Sequence, residues 1–224
     1  MYIIRKQRIE TLNKNKLNLS EIENIFKNRK PAAIGEYHYF SVLVPLIEKD
    51  GELYLLYEIR AKSLKTQPGE ICFPGGAVEK NETKRQCAIR ETCEELGVEK
   101  KDIRIISELD TLYTYSNFTM YCFLGKISYE ALSQKKINED EVQEFFLVPL
   151  NYMMDQAPFI YNVDVLPNIG TDFPYDLLKL NNGYNWRKGK SEVPIYTYED
   201  KSIWGLTARI THNFVNIIKL ENRE

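Results

Sequence analysis

Apolar and polar positions alternate in short runs through the middle of the chain. Tyr39 to Ile47 and Leu53 to Ile59 each read as a buried strand, joined across Lys49-Asp50-Gly51-Glu52, where Asp-Gly is a hairpin-turn signal. A shorter strand is predicted at Glu70 to Phe73, broken by Pro74-Gly75-Gly76. Asp102 to Thr114 and Asn117 to Ile127 read as two strands meeting near Tyr115-Ser116. A further strand, Phe145 to Leu150, follows the acidic loop Asn138-Glu139-Asp140-Glu141. Two other stretches repeat at helical spacing. One runs from about Glu82 to Leu96, with Gly97 placed to end it, and the other from Ile203 to about Leu220, with Trp204 assigned to the core. Ahead of the first strand, residues 5–30 are charged and helical in pattern, with Ile9, Leu12, Leu17, Leu19, Ile22, Ile25 and Phe26 as the apolar positions. Ser20 and Glu23 suggest a capping box there, and Pro31 a stop. Residues 151–200, rich in Tyr, Asn, Pro and Gly, read as irregular. The order of elements gives an α/β (α+β) class: an α/β/α sandwich over residues 36–224, ending in the C-terminal helix, with residues 1–35 as a helical extension.

Bulk properties narrow the function classes. At 224 residues, 43% hydrophobic and 28% charged, the chain can bury a substantial core. A net charge of −2 gives no basic footprint for nucleic acid. No run reaches the roughly 18 apolar residues of a membrane span, and the N-terminus lacks an apolar stretch of signal-peptide length, so a cytoplasmic location is expected. The four cysteines, Cys72, Cys87, Cys93 and Cys122, show no CxxC spacing and read as reduced, partly buried thiols. Cys93 is no candidate nucleophile, since the two histidines, His38 and His212, are not placed to activate it.

The chemistry lies in one helix. Glu91, Glu94 and Glu95 fall at i, i+3 and i+4, so a helix puts them on one face. Two carboxylates about 4 Å apart repel by roughly 4 kcal/mol at an effective dielectric near 20. A divalent cation turns that repulsion into attraction, and oxygen ligands select Mg²⁺ or Mn²⁺.

The stretch from Gly76 through Glu82 and Arg90-Glu91-Thr92-Cys93-Glu94-Glu95 to Gly97-Val98 resembles the Nudix box of the Nudix hydrolases. Its one departure is Thr92, where the family usually has an aliphatic residue. The resemblance implies a mixed sheet within the sandwich and water attack on a nucleoside diphosphate derivative. It also implies Glu91, Glu94 and Glu95 as metal ligands, with the Gly75 carbonyl as a further one. Glu82 becomes an auxiliary acid, and Arg90 orients the carboxylates. Gly75 and Gly76 allow the backbone close to the metal. The general base is a motif glutamate or an acid from the loop before the last strand: Glu139, Asp140, Glu141 or Glu144, with Glu141 foremost.

The segment Leu55 to Gly76 resembles the motif that precedes the box in coenzyme A pyrophosphatases, through Arg60, Leu64, Lys65, Gly69, Glu70, Ile71 and Phe73 to Gly76. Ala61 stands where Ser is usual and Gln67 where His is usual. The run Ile203 to Ala208 also looks like that subgroup. Arg60, Lys62 and Lys65 form a basic cluster suited to phosphates, and Arg60, Lys65 and Gly76 are assigned to substrate. Tyr113, Tyr115, Phe159, Tyr161, Phe173, Tyr175, Tyr184 and Trp186 are candidates to stack an adenine, with ordinary packing as the competing explanation. The expected partner is a small coenzyme A-like nucleotide, with no nucleic acid or membrane, and a homodimer is compatible with the sequence. Two other readings stand beside it: hydrolysis of another nucleoside diphosphate derivative, such as ADP-ribose or a dinucleoside polyphosphate, and a non-catalytic nucleotide sensor.

Overall fold

The computed structural model describes residues 17–180 and 183–221, and all structural statements concern these. The chain divides into a unit ending at Glu36 and another beginning at Tyr37. The first contributes helix α1 (Leu19–Phe26). Its capping box is Asn18 with Glu21, not Ser20 with Glu23. Asn18 Oδ1 accepts the Glu21 N–H at 3.0 Å, and Glu21 Oε2 accepts the Asn18 N–H at 2.9 Å. Asn is as good an N-cap as Ser, and its box starts the helix two residues sooner. The helix ends at Phe26, well before Pro31, and the predicted positions Ile9 and Leu12 lie outside the described residues.

The second unit runs β1 (His38–Lys49), β2 (Glu52–Arg60), β3 (Ile71–Cys72), β4 (Gly75–Ala77), α2 (Lys84–Leu96), β5 (Ile103–Glu108), β6 (Leu112–Tyr113), β7 (Phe118–Ile127), α3 (Tyr129–Gln134), β8 (Val142–Pro149), α4 (Leu150–Asp155), β9 (Phe159–Val165), β10 (Gly189–Tyr198), β11 (Lys201–Trp204) and α5 (Gly205–Glu221). The main sheet is mixed: β1 and β7 are parallel, while β1–β2, β2–β8 and β5–β7 are antiparallel. β1 and β2 pair only between Leu46–Lys49 and Glu52–Leu55. Beyond that they part. β3 then pairs with β2, placing Cys72 opposite Glu58, and β4 pairs with β1, placing Gly75 opposite Val42. The Pro74-Gly75-Gly76 segment is thereby wedged between two long strands.

Strand alternation divides the core into two layers. Val42, Val44, Leu55 and Tyr57 face Tyr196, Ile203, Phe214 and Val215, on the α5 side. Leu43, Ile47 and Leu56 face Ala88, Ile89 and Leu96 of α2. This is the expected helix–sheet–helix sandwich. Tyr57 ties the α5 layer: its hydroxyl lies 3.0 Å from Thr211 Oγ1, and its ring stacks on Phe73 and Phe146 with centroids 4.8 and 5.6 Å apart.

Residues 151–200 are irregular only in part: the described residues between 166 and 188 form no helix or strand, but those on either side do. β9 and β10 pair in continuous register from Phe159 opposite Ile195 to Val165 opposite Gly189, and β11 completes a second, three-stranded sheet. The pairing partners lie far apart in sequence, and that hides the strands from a local reading. Phe173, Tyr175, Tyr184 and Trp186 cluster in the connection, with centroids 4.7 to 5.3 Å apart. The C-terminal helix begins at Gly205 (φ 64°), two residues later than predicted, because Ile203 is strand-paired with Tyr196. Ile203 is fully buried, while Trp204 points outward and is 48% exposed, against its core assignment. The predicted strand at 102–114 is interrupted between β5 and β6, and α3 was not anticipated.

Helix α2 has a complete box at its start: Thr83 Oγ1 accepts the Gln86 N–H, and Gln86 Oε1 accepts the Thr83 N–H at 2.8 Å. Thr92 is buried without cost to polarity, since its hydroxyl donates to the Ala88 carbonyl at 2.7 Å. Gly97 closes the helix at φ 68°, donating its N–H to the Cys93 carbonyl, and a Cβ there would sit 2.3 Å from the Lys136 carbonyl oxygen. Gly97→Ala is therefore expected to lower the unfolding free energy by about 2 kcal/mol or more, measured by urea denaturation. A loss below about 0.5 kcal/mol would show that the Lys136 backbone yields freely.

Candidate active site

The site forms where α2 crosses the wedge between β1 and β2. Arg90, in the middle of the helix, organises the outer carboxylates. Its Nε and Nη2 grip Glu82 at 3.1 and 2.9 Å, a bidentate pair. Its Nη1 reaches Glu91 Oε1 and Glu94 Oε2, both at 2.9 Å. Glu82 also accepts the Glu79 N–H at 2.7 Å, and Arg90 foremost holds its pKa down at about 2. The same carboxylates hold Arg90 firmly charged.

Deeper in, the carboxylates lack such a partner. Glu95 is buried, and its Oε2 accepts the Gly75 N–H at 2.8 Å. Burial pushes its pKa up to about 8. Glu91 and Glu141 add to that shift, while the Gly75 N–H and Arg60 oppose it. Glu91 is raised too, by burial first and against the pull of Arg90. Glu58 is the most enclosed of all, 1% exposed, with neither carboxylate oxygen hydrogen-bonded. Burial, then Glu95, raises it well above the ordinary carboxylate range, with Arg60 opposing and Glu141 reinforcing. Glu58 and Glu95 face each other as two acceptors, so they bond directly only when one carries a proton.

The glycines set the clearances. A Cβ on Gly75 (φ 154°) would meet the Ser41 carbonyl oxygen at 2.4 Å, and one on Gly76 would fall 2.3 Å from the Glu91 carboxylate. The backbone thus lies directly against Glu91 and Glu95.

Of the sequence-selected residues, Glu82, Arg90, Glu91, Glu94, Glu95, Gly75 and Gly76 come together. Glu94 is the outermost, with its side chain 53% exposed. Glu141 joins them electrically, since its charge raises Glu58, Glu91 and Glu95; its carbonyl accepts the Ala61 N–H at 2.9 Å, fixing the loop to the end of β2. Glu144 points elsewhere, acting on Lys201, and Glu139 pairs with Lys136 at 3.0 Å. Arg60 faces the carboxylates, with its Nε on the Thr66 carbonyl at 3.4 Å, whereas Lys62 and Lys65 are exposed on the following turn. Gln67 adopts φ 52° and donates to Glu70 at 2.9 Å. Tyr113, Tyr115, Phe159 and Tyr161 are exposed. Burial keeps the Cys93 thiol above its ordinary pKa. Two clefts flank the sandwich: one of about 920 Å³ beside the start of α2, lined by Tyr39, Glu82, Lys84 and Tyr121, and one of about 540 Å³ lined by Lys190, Arg209, His212 and Asn213. Glu91 and Glu95 line neither.

Glu58 is the residue that sequence reasoning missed. Its signal was a lone carboxylate inside the apolar run Leu53 to Ile59.

No group of three or more acidic, cysteine or histidine side chains is already drawn together as a ready-made cage among the described residues. The donor set nevertheless fits a hard divalent cation. It supplies oxygens only, two of them on Glu58 buried without a partner, and the carboxylates raise one another's pKa.

The NUDIX domain family profile matches residues 38–164. The mouse peroxisomal coenzyme A diphosphatase NUDT7 is 37% identical over 136 residues, which cover 60% of this chain and 56% of the mouse protein. This chain thus matches little more than half of that protein's length. Nudix hydrolase 3 of Caenorhabditis elegans is 28% identical over 184 residues, 80% of this chain and 72% of the worm protein. A MutT/nudix family protein from Enterococcus faecalis aligns in structure over 91% of this chain and 70% of its own, at 15% identity and a TM-score of 0.49.

Stability of the cation-free protein carries a signature of Glu95. Its folded pKa, about 8, lies above the ordinary 4.5, so its stabilising contribution is full below pH 4.5 and is lost as pH rises towards 8. In chelator-treated protein, the melting temperature should fall across that window, and Glu95→Gln should flatten the fall. An equally steep fall in the variant would place the titrating group elsewhere.

Proposed function

The chain belongs to the Nudix family, and from that premise we propose that it is a divalent-cation-dependent pyrophosphohydrolase of coenzyme A, including acyl and oxidised forms. Water attacks one phosphorus, the P–O–P bridge breaks, and the products are 3′,5′-ADP and 4′-phosphopantetheine or its acylated form. The observation that carries the hydrolase reading is the set of buried carboxylates converging on Gly75-Gly76. Glu91, Glu94, Glu95 and the Gly75 carbonyl would hold the cation, Mg²⁺ or Mn²⁺. When bound, the cation supplies positive charge against the pyrophosphate oxygens.

The chain's own groups do the rest. Arg90 fixes the rotamers of Glu82, Glu91 and Glu94 through its guanidinium. Gly76, lacking a Cβ, lets the Glu91 carboxylate close against the main chain, and it is the main chain here that is assigned to the substrate. Arg60 supplies a guanidinium to the anionic substrate at the rim, and Lys65 stands on the turn beyond it. Glu141 is exposed and within the field of Glu91 and Glu95, so it is the carboxylate assigned to take the water's proton.

The coenzyme A assignment draws support from the Arg60-to-Gly76 segment and from the mouse relative. A second reading, another nucleoside diphosphate derivative, draws on the two departures in that segment. Ala61 is buried where the motif has a hydroxyl, and Gln67 is tied to Glu70 where it has an imidazole. The free cysteines and the lack, among the described residues, of a helix long and apolar enough to cross a membrane accord with a cytoplasmic site of action, which is part of the proposal.

Incubation with coenzyme A and Mn²⁺ should release 3′,5′-ADP, followed by chromatography. Cleavage of ADP-ribose without cleavage of coenzyme A would transfer the assignment to the second reading. Glu95→Gln should lower turnover by about 100-fold or more while the protein stays folded by circular dichroism. Retained activity would remove Glu95 from the machinery.

A further inference from the structure

Glu58 sits near the C-terminal end of β2, next to Tyr57 of the α5 side and opposite Cys72, just ahead of the glycine wedge. Strand alternation turns it towards α2, where it meets Glu95. Its side chain is sealed from solvent, and neither oxygen has a hydrogen-bond donor among the described residues. The surrounding strand positions, Leu55, Leu56 and Tyr57, are fully buried. A carboxylate kept only for packing would be replaced there by an apolar side chain at no loss, because an unpaired buried charge is among the costliest features a fold can carry. Arg60 is the cation whose charge favours Glu58, yet its recorded hydrogen bond goes to the Thr66 carbonyl. Glu95 spends Oε2 on the Gly75 N–H. Two acceptors that face each other in a closed space call for something positive between them.

We propose that Glu58, outside the sequence motif, is a ligand of the divalent cation, contributed by the sheet and facing Glu95 of the helix. The inference rests on the cation-dependent reading of the site. Its consequence is that the cation joins β2 to α2, so that metal binding adds to the packing that seats the helix.

Mn²⁺ binding to the full chain, followed by titration calorimetry and by the electron spin resonance signal of free Mn²⁺, tests this without substrate. Glu58→Gln should bind Mn²⁺ about 10-fold more weakly or worse. In chelator the same variant should melt at a higher temperature than the wild type, because the cost of burying an unpartnered ionisable carboxyl is gone, and Mn²⁺ should raise its melting temperature less. Glu58→Asp keeps the charge but withdraws the oxygens by one methylene, and should fall between the two in affinity. If Glu58→Gln does not fold, the Asp variant decides. Wild-type Mn²⁺ affinity in either folded variant overturns the proposal and leaves the cation reading of the helix glutamates standing; a proton shared by Glu58 and Glu95 is then the bond between them. No Mn²⁺ binding by the wild type would overturn both readings.

Discussion

Glu58 and Glu95 are held out of water between a strand and a helix, and each is pushed towards its neutral form by burial. Burial of like charge is the constraint around which the rest is arranged. Left alone, it would drive α2 off the sheet or protonate the pair. The fold answers with a rigid frame: Leu43, Ile47 and Leu56 grip Ala88, Ile89 and Leu96 on one face, and Tyr57 with Thr211 locks the other. Ser41 Oγ donates to the Lys84 carbonyl at 2.7 Å, fastening the start of α2 to β1 at the level of the glycine wedge. The apolar area buried on both faces, at about 25 cal/mol per Å², is what can hold such a pair in place.

Arg90 divides the carboxylates into two rows. The outer row, Glu82, Glu91 and Glu94, is oriented and in part neutralised by one guanidinium with contacts of 2.9 to 3.1 Å. The inner row, Glu58 and Glu95, has one main-chain N–H between its two members. Glu91 belongs to both, touching Arg90 while raised by burial. The arrangement separates a preorganised support from a charge-deficient interior, and preorganisation is where most catalytic stabilisation originates.

The outer row, and Glu95 of the inner one, could be read from the chain because these residues are local. Glu82, Arg90, Glu91, Glu94 and Glu95 lie within one helix and its approach, where spacing alone fixes which side chains are neighbours. Glu58 could not be read that way. Its meeting with Glu95 depends on β2 parting from β1 and on the register that sets Cys72 opposite Glu58, both long-range facts. β9 and β10 were opaque for the same reason: a strand is defined by its partner, and these partners are separated by a long connection. Trp204 shows the reverse limit. Its size suggested the core, but one step of strand alternation gives that place to Ile203. Glu144 and Glu141, three residues apart, are separated by the start of β8, which turns one towards the carboxylates and the other towards Lys201.

The loop carrying Glu141 is anchored at both ends, to α2 and to the residue after β2. The Asn138 N–H donates to the main-chain carbonyl of Glu95 at 2.9 Å, and the Ala61 N–H donates to the carbonyl of Glu141 at the same distance. The Lys136 carbonyl closes against Gly97, filling the space where any other residue would need a Cβ. For the evolution of this chain, that makes the segment from Lys135 to Val142 a fixed-length strut. Residues can be exchanged along its outer surface, but one inserted or removed would break a contact to the helix or to β2. Lengthening and diversification are left to the long connection between β9 and β10, whose aromatic cluster packs on itself.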